Sequence, residues 1–442
     1  MYMREGVAMS SRIVILGAGT GGTMVANRLH RELGGRGAEI TVIDLNDVHV
    51  YQPGLLFVPF GLARPHHLEQ QRPSQLTSEV LYIERVIDHV DVDRNTVILR
   101  DGEKVPYDVL VVATGSVLSP DATEGLSDAI GMNAAHHFYT AHAADLLEAA
   151  LARFDGGRLV VNIVDNLIKY PLAPVEFCFL ADWYFHQRGI RDRVEITFVT
   201  PLDGASTTAL ASDTLGSLLM EKNIQLVPEF NTARVDGIKR RLVGLDGRVV
   251  PFDLAVVIPT HSGAAYVGRS RELGDEHNFV PTDPHSMQSL VRPNIFVIGD
   301  AANIGVWKAG SVAYFEGDAL VANVLHFIHG ETLDASYDGH INGFIESGFG
   351  KALLIDFNYD TEPMAGRFPG TVGFPLLKES RLNHWGRVAF EWMYWHAVLA
   401  GRHIPGIRSK MPTAGKRPEL GGAPRLRPIS RSTEEPKPEK VS

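Results

Sequence analysis

The sequence predicts an α/β fold: two parallel-sheet units, the first interrupted by the second, and a C-terminal segment of different character. Three observations carry this expectation. Short apolar runs alternate with helical patterns along most of the chain. Two of these runs, Ile13–Leu16 and Leu159–Val164, open βαβ-like units. Unbroken apolar runs, as in buried parallel strands, recur late at Leu254–Ile258 and Ile295–Ile298.

In chain order, Ile13–Leu16 and Ile40–Ile43 read as buried parallel strands flanking a helix from about Gly22 to Leu33. Alternation and turn residues over Val80–Val97 predict antiparallel strands, and Val109–Ala113 is another buried strand. Leu159–Val164, a helix near Pro174–Gln187 and Val194–Thr200 form the second βαβ unit, and Gly310–His329 is a helix. From Arg408 the chain loses apolar periodicity and fills with Pro, Lys, Arg and Glu, which predicts a disordered tail over 408–442. The expected units are 11–118 and 281–330 for the first domain, 119–280 for the second, and 331–407 for the C-terminal segment.

Composition narrows the function. With 45% apolar and 21% charged residues the 442-residue chain is neither disordered nor fibrous, and at ~150 residues per domain it holds roughly three folded units. A net charge of −10, from 42 Lys+Arg against 52 Asp+Glu, argues against nucleic acid as a partner. The single cysteine, Cys178, excludes an intrachain disulfide and a dithiol redox pair. No run reaches the ~18 apolar residues of a spanning helix. The start lacks the ordered regions of a signal peptide, so a cytoplasmic protein is expected.

Chemistry begins at Gly17-Ala18-Gly19-Thr20-Gly21-Gly22, a GxGxxG directly after a strand. Gly17 permits the tight turn, Gly19 lets a pyrophosphate approach the backbone, and Gly22 lets the helix lie close to the strand. The helix N-terminus offers free N–H groups and its positive dipole end. Asp44, at the end of the next strand, can hold ribose hydroxyls. This predicts a Rossmann-like site for a dinucleotide, the other reading being a plain glycine turn.

Tyr107–Ser116, with Ala113-Thr114-Gly115, resembles a strand-turn of flavoproteins with two dinucleotide-binding domains. Ile295–Ala302, with Gly299-Asp300, is similar to their second flavin signature. That likeness implies FAD, with Asp300 on a ribityl hydroxyl; Asp300 also reads as a helix N-cap. The turn of the second βαβ unit, Val164–Lys169, has no glycine, which disfavours a close-bound NAD(P)H pyrophosphate.

The run Lys169-Tyr170-Pro171-Leu172-Ala173-Pro174-Val175-Glu176-Phe177 resembles the K-C-P-x-A-P-x-E-F segment of sulfide:quinone oxidoreductases. Pro259 with His261-Ser262-Gly263, Trp307–Gly310, Gly348–Lys351, Asp356–Tyr359 and the aromatic Trp392–Trp395 with Gly401 fit that family too, over roughly residues 11–407. The resemblance implies an FAD oxidoreductase that passes electrons from a small donor to a quinone. The family's two sulfur-handling cysteines fall at Tyr170 and about Gly343, and a third near His136–Thr140; none is present here. Sulfide as donor is therefore in doubt. An NADH:quinone reductase of the single-chain type, or a non-catalytic flavin-binding partner protein, are the alternatives.

Three residues are candidates for the chemistry. Tyr170 is either a phenol over the flavin or a packing aromatic. Lys308 is a cation that stabilises negative charge on the flavin's pyrimidine edge, or a solvated lysine. Glu176 is a general acid/base or a carboxylate at a helix N-terminus. Cys178 reads as a small buried hydrophobe. His66-His67 and His136-His137 lack a third ligand at metal spacing and read as solvated loops, so no metal is expected.

Over residues 378–402, Leu382, Trp385, Ala389, Trp392, Trp395 and Leu399 recur at helical spacing among Arg381, Arg387 and Arg402. Such a stripe suits a bilayer interface, which predicts peripheral attachment on the inner face of the cell membrane. The other reading is a helix against its own core, or a dimer face in a homo-oligomer.

Overall fold

The computed structural model describes residues 11–34 and 37–417. A five-stranded parallel sheet runs Ile295–Val297, Val109–Val112, Ser11–Leu16, Ala38–Asp44, Leu81–Glu84. A second one runs Ala135–His136, Leu254–Ile258, Gly157–Ile163, Val194–Val199, Ile224–Val227. In both, the strand that opens the βαβ unit, Ser11–Leu16 or Gly157–Ile163, sits in the middle. The chain builds outward on one side, makes a three-stranded antiparallel meander, and returns on the other side. The two units thus share four strands and a meander in the same order and differ in the fifth strand, which comes last in the first sheet and first in the second. The last strand of the first sheet arrives only after the second sheet is complete.

This layout fixes where a ligand can bind. At Ser11–Leu16 the strand order reverses, which opens a crevice beyond the strand's carboxyl end. Ile13, Val14, Ile15 and Leu16 are buried on both faces, as a strand covered by helices requires. The helix Thr20–Leu33 packs on the helix Gly310–His329, tied by Arg28 Nη1 to Asp318 at 2.5 Å.

Past the second sheet, the hairpin Ile341–Gly348 and Lys351–Phe357 packs on the helix Ala173–Gln187. The helix Arg381–Met393 packs mainly on the hairpin's second strand and passes into a π turn at Tyr394–Val398. No helix among the described residues is long and apolar enough to cross a membrane.

Several expectations need correction. Within Val80–Val97, Leu81–Glu84 pairs parallel with Ala38–Asp44, and only Ile87–Asp91 and Thr96–Leu99 are antiparallel. Solvent on one face explains the alternation; it does not choose the partner. His136 and His137 are buried, because Ala135–His136 is an edge strand of the second sheet. Residues 408–417 are not a loose tail. Lys416–Arg417 pair with Ala365–Gly366, and Lys416 Nζ lies 3.2 Å from buried Asp356, which His340 Nε2 meets at 2.9 Å. One buried ion pair outweighs the polar composition there. Residues 418–442 lie outside the described residues.

Candidate active site

The glycine loop has the shape its spacing implies. Gly17 sits at φ +96°, and a Cβ there would lie 2.6 Å from the Ala113 carbonyl oxygen. A Cβ on Gly22 would lie 1.8 Å from the Gly17 carbonyl oxygen. At Gly19 a Cβ meets nothing within 4 Å, and no side chain caps the helix that starts at Thr20. An open cradle before uncapped N–H groups is what a pyrophosphate needs. The residues present fit the pyrophosphate of FAD. Asp44 takes the Ala18 N–H on Oδ2 at 2.6 Å and the Leu45 N–H on Oδ1 at 2.7 Å, with Arg72 also on Oδ2.

Opposite the cradle, the first sheet's last strand delivers Gly299, at φ +68°, and Asp300. Asp300 Oδ2 accepts from Ser116 Oγ at 3.0 Å, just past Thr114 and Gly115. Thr114 Oγ1 lies 3.2 Å from the Tyr266 hydroxyl, and Gly115 turns at φ +69°. Buried Glu316 and half-buried Lys308 brace the Asp300 turn. Glu316 accepts the Gly299 N–H at 2.7 Å; Lys308 Nζ donates to the carbonyls of Asp300 and Ala302 at 2.9 and 2.7 Å. Lys308 is thus not a solvated lysine: burial lowers its pKa, and it lies over the Phe279 ring. Lys169 Nζ stands 4.0 Å from Asp300 Oδ2 and donates to Gln52. His261 is buried with neither ring nitrogen partnered, and burial draws its pKa down to about 3.

Tyr170 stands against Gly343. Its hydroxyl donates to the Phe344 carbonyl at 3.0 Å, and a Cβ on Gly343 would come within 2.7 Å of the Tyr170 hydroxyl oxygen. Tyr170 keeps φ at +44°, a region that costs a side-chain-bearing residue energy, and meets Trp307 edge-on. Burial drives its pKa well up, so the phenol keeps its proton. Cys178 is fully buried on the next helix, its thiol pushed upward by the same cause.

Glu176 is buried in the first turn of that helix and accepts the Glu346 N–H at 2.9 Å. Glu346 in turn is held by His384 Nδ1 at 2.9 Å and Arg387 Nε at 3.0 Å, both from the helix Arg381–Met393. Burial pushes Glu176 from 4.5 to about 8, so folding takes up a proton there between those values. Stability therefore falls as pH rises through that window, by up to about 1.4 kcal/mol per pH unit. Glu176→Gln keeps an acceptor for the Glu346 N–H and removes the titration. Its melting temperature should decline less steeply than wild type from about pH 5 to about pH 8. Glu316, raised to about 7, adds the same slope to both proteins. Parallel curves would refute the assignment.

The structure thus gathers Asp300, Lys308, Thr114 and Gly115 around one turn, and Gly17, Gly19, Gly22 and Asp44 around another. Glu176, in the helix Ala173–Gln187, and Tyr170, in the turn just before it, form a third group, and Glu176 reaches the C-terminal helix through Glu346. The reading by residue type missed Lys169 and Glu316 as partners of the Asp300 turn. Lys169 was within a quoted motif, but nothing local pairs either residue with position 300. Of the apolar stripe, Leu382, Trp385 and Trp392 are exposed, whereas Trp395 packs on His49 and Tyr51 and Leu399 is buried.

Residues 11–162 match the pyridine nucleotide-disulphide oxidoreductase family. The chain is 24% identical over 397 residues to the mitochondrial sulfide:quinone oxidoreductase of Dictyostelium discoideum, covering 89% of this chain and 86% of that one. To the corresponding protein of Mus musculus it is 23% identical, covering 88% and 86%. The X-ray structure of the sulfide:quinone oxidoreductase from Aquifex aeolicus superposes with a TM-score of 0.77 at 20% identity, covering 89% of this chain and 92% of the other.

Proposed function

We propose that this chain, an FAD-dependent oxidoreductase related to the sulfide:quinone oxidoreductases and carrying one cysteine, passes electrons from a small donor through FAD to a quinone. When bound, FAD supplies the two-electron carrier. The protein's own groups do the rest. Gly17, Gly19, Gly22 and the uncapped N–H groups hold the pyrophosphate, and Asp44 the ribose. Thr114 and Gly115 shape the wall, while Gly299 and Asp300 hold the ribityl chain. Lys308 and Lys169 place positive charge beside Asp300, where charge on the cofactor has to be met. Tyr170 closes the donor side with a neutral phenol. Glu176, protonated below about pH 8, stores a proton for the quinone.

The observation that carries this reading is the apolar face that Leu382, Trp385, Val388 and Trp392 present to solvent. The same helix turns His384 and Arg387 inward to Glu346, one backbone hydrogen bond from Glu176. A surface for a bilayer and a buried acid therefore share one helix, which suits a quinone drawn from lipid. We place the protein peripherally on the inner face of the cell membrane, attached through residues 378–402.

The test concerns two rings rather than three, since Trp395 is half-buried against the core. Trp385 is 65% and Trp392 63% exposed. Seating roughly 100 Å² of each in lipid contributes about 2.5 kcal/mol per ring at ~25 cal/mol per Å². Trp385→Ser with Trp392→Ser should therefore weaken co-sedimentation with anionic liposomes by roughly four thousandfold and depress quinone reduction, leaving flavin content and melting temperature unchanged. A double variant that aggregates or melts early, beside wild type that never binds vesicles, would mean the face covers another protein surface.

A further inference from the structure

The C-terminal π turn reaches back to the glycine loop through a closed hydrogen-bond circuit. His49 Nδ1 lies 3.1 Å from the Ala18 carbonyl oxygen, and its Nε2 lies 2.7 Å from the Tyr394 hydroxyl. That hydroxyl is 2.7 Å from Thr20 Oγ1. The circuit therefore leaves the loop at Ala18 and re-enters it at Thr20, with Gly19 between.

Its polarity follows from the atoms. A carbonyl only accepts, so Nδ1 carries the proton and donates to Ala18. His49 is buried, and burial lowers its pKa to about 4, so the ring is neutral and Nε2 is bare. Tyr394 must then donate to Nε2, and Thr20 must donate to Tyr394. Every proton is assigned, and Thr20 at the first turn of the helix is held in one rotamer. Around it, Asn27 Nδ2 donates to the Leu399 carbonyl at 2.8 Å, and Arg31 to those of Gly401 and Ala400 at 2.7 Å. The segment after the π turn is thus bolted along the same helix.

We infer that Tyr394 and His49 are positioning residues for the cofactor: they hold Ala18 and Thr20 so that the Gly19 backbone stays open to the FAD pyrophosphate. The C-terminal segment thereby completes the cradle from more than 370 residues downstream. A π turn, rare in helices and common at functional sites, is the local cost of bringing the Tyr394 hydroxyl onto the loop. This rests on reading Gly17–Gly22 as the pyrophosphate cradle.

The experiment measures FAD release from diluted holoenzyme by its fluorescence, for wild type, Tyr394→Phe, His49→Leu and His49→Gln. Tyr394→Phe and His49→Leu should bind FAD roughly tenfold more weakly, the effect of leaving a buried polar group unpaired. His49→Gln, which can still donate to Ala18, should recover part of the loss. Hydrogen exchange supplies a readout that general destabilisation would not mimic. FAD should slow exchange at the amides of 394–398 in wild type, and this protection should vanish in Tyr394→Phe. Wild-type affinity in Tyr394→Phe, beside a Gly19→Val protein that has lost its flavin, overturns the inference alone. Flavin retained by Gly19→Val overturns the underlying reading of the loop. Should Tyr394→Phe fail to fold, the His49 pair decides: equal affinities in His49→Leu and wild type overturn the inference.

Discussion

A Gly19→Val protein is expected to purify folded and colourless. Gly19 holds φ −76° and ψ −164°, an extended conformation that a β-branched residue adopts readily. Nothing stands within 4 Å of the Cβ it would gain, so the polypeptide itself does not object. The isopropyl group instead fills the space into which a pyrophosphate has to come. Losing that approach should weaken FAD binding by at least about a thousandfold, some 4 kcal/mol. Gly22→Ala is the contrast. Its methyl would lie 1.8 Å from the Gly17 carbonyl oxygen, so the loop must rearrange with or without cofactor. Thermal melts should therefore show near-wild-type apoprotein for Gly19→Val and a lowered transition for Gly22→Ala. A flavin-loaded Gly19→Val protein would falsify the cradle.

Sulfide should bleach the flavin of the wild-type protein slowly or not at all. Resemblance puts the sulfur-handling cysteines at positions 170 and 343, and the structure shows these positions touching. Any chain of sulfane sulfur between them would need the space the Tyr170 ring occupies over Gly343. Tyr170→Cys alone should stay inactive with sulfide, since it clears the space but supplies one thiol. Tyr170→Cys with Gly343→Cys should raise sulfide-dependent bleaching by roughly 10³-fold, the scale on which a covalent nucleophile matters. Anaerobic reduction by sulfide, persulfides, thiols, NADH and NADPH in parallel identifies the donor. Rapid wild-type turnover with sulfide would sink this account. It would require Cys178, which no solvent reaches, or direct attack on the cofactor.

What could be read from the residues follows the range of the forces involved. Gly17, Gly19 and Gly22 were legible because a tight turn and a close approach each demand a missing side chain at a fixed step. The helix Gly310–His329 was legible to its ends, because its periodicity is unbroken and Gly330 stops it at φ +70°. Leu81–Glu84 misled, since alternation reports which faces meet solvent and not which neighbour a strand joins. Lys416 misled more, because an isolated lysine in a polar stretch gives no sign that a buried Asp356 awaits it. Trp385 and Trp395 share a stripe on paper. Trp395 sits inside the π turn and packs half-buried against His49 and Tyr51, and no periodicity announces an extra residue per turn. His49 and Tyr394, 345 residues apart, meet only through tertiary structure.

A tyrosine at position 170, where the resemblance places a cysteine, and the burial of Cys178 also bear on how this protein should answer oxidative stress. Enzymes that work through paired thiols follow the glutathione and thioredoxin balance of their compartment, and peroxide or nitrosylating agents switch them off. Here the only sulfhydryl of the chain is buried and protonated, so no thiolate is offered to an oxidant. Electron flow through such a protein is expected to be set by its donor and acceptor and to continue when the surrounding thiol pool is exhausted.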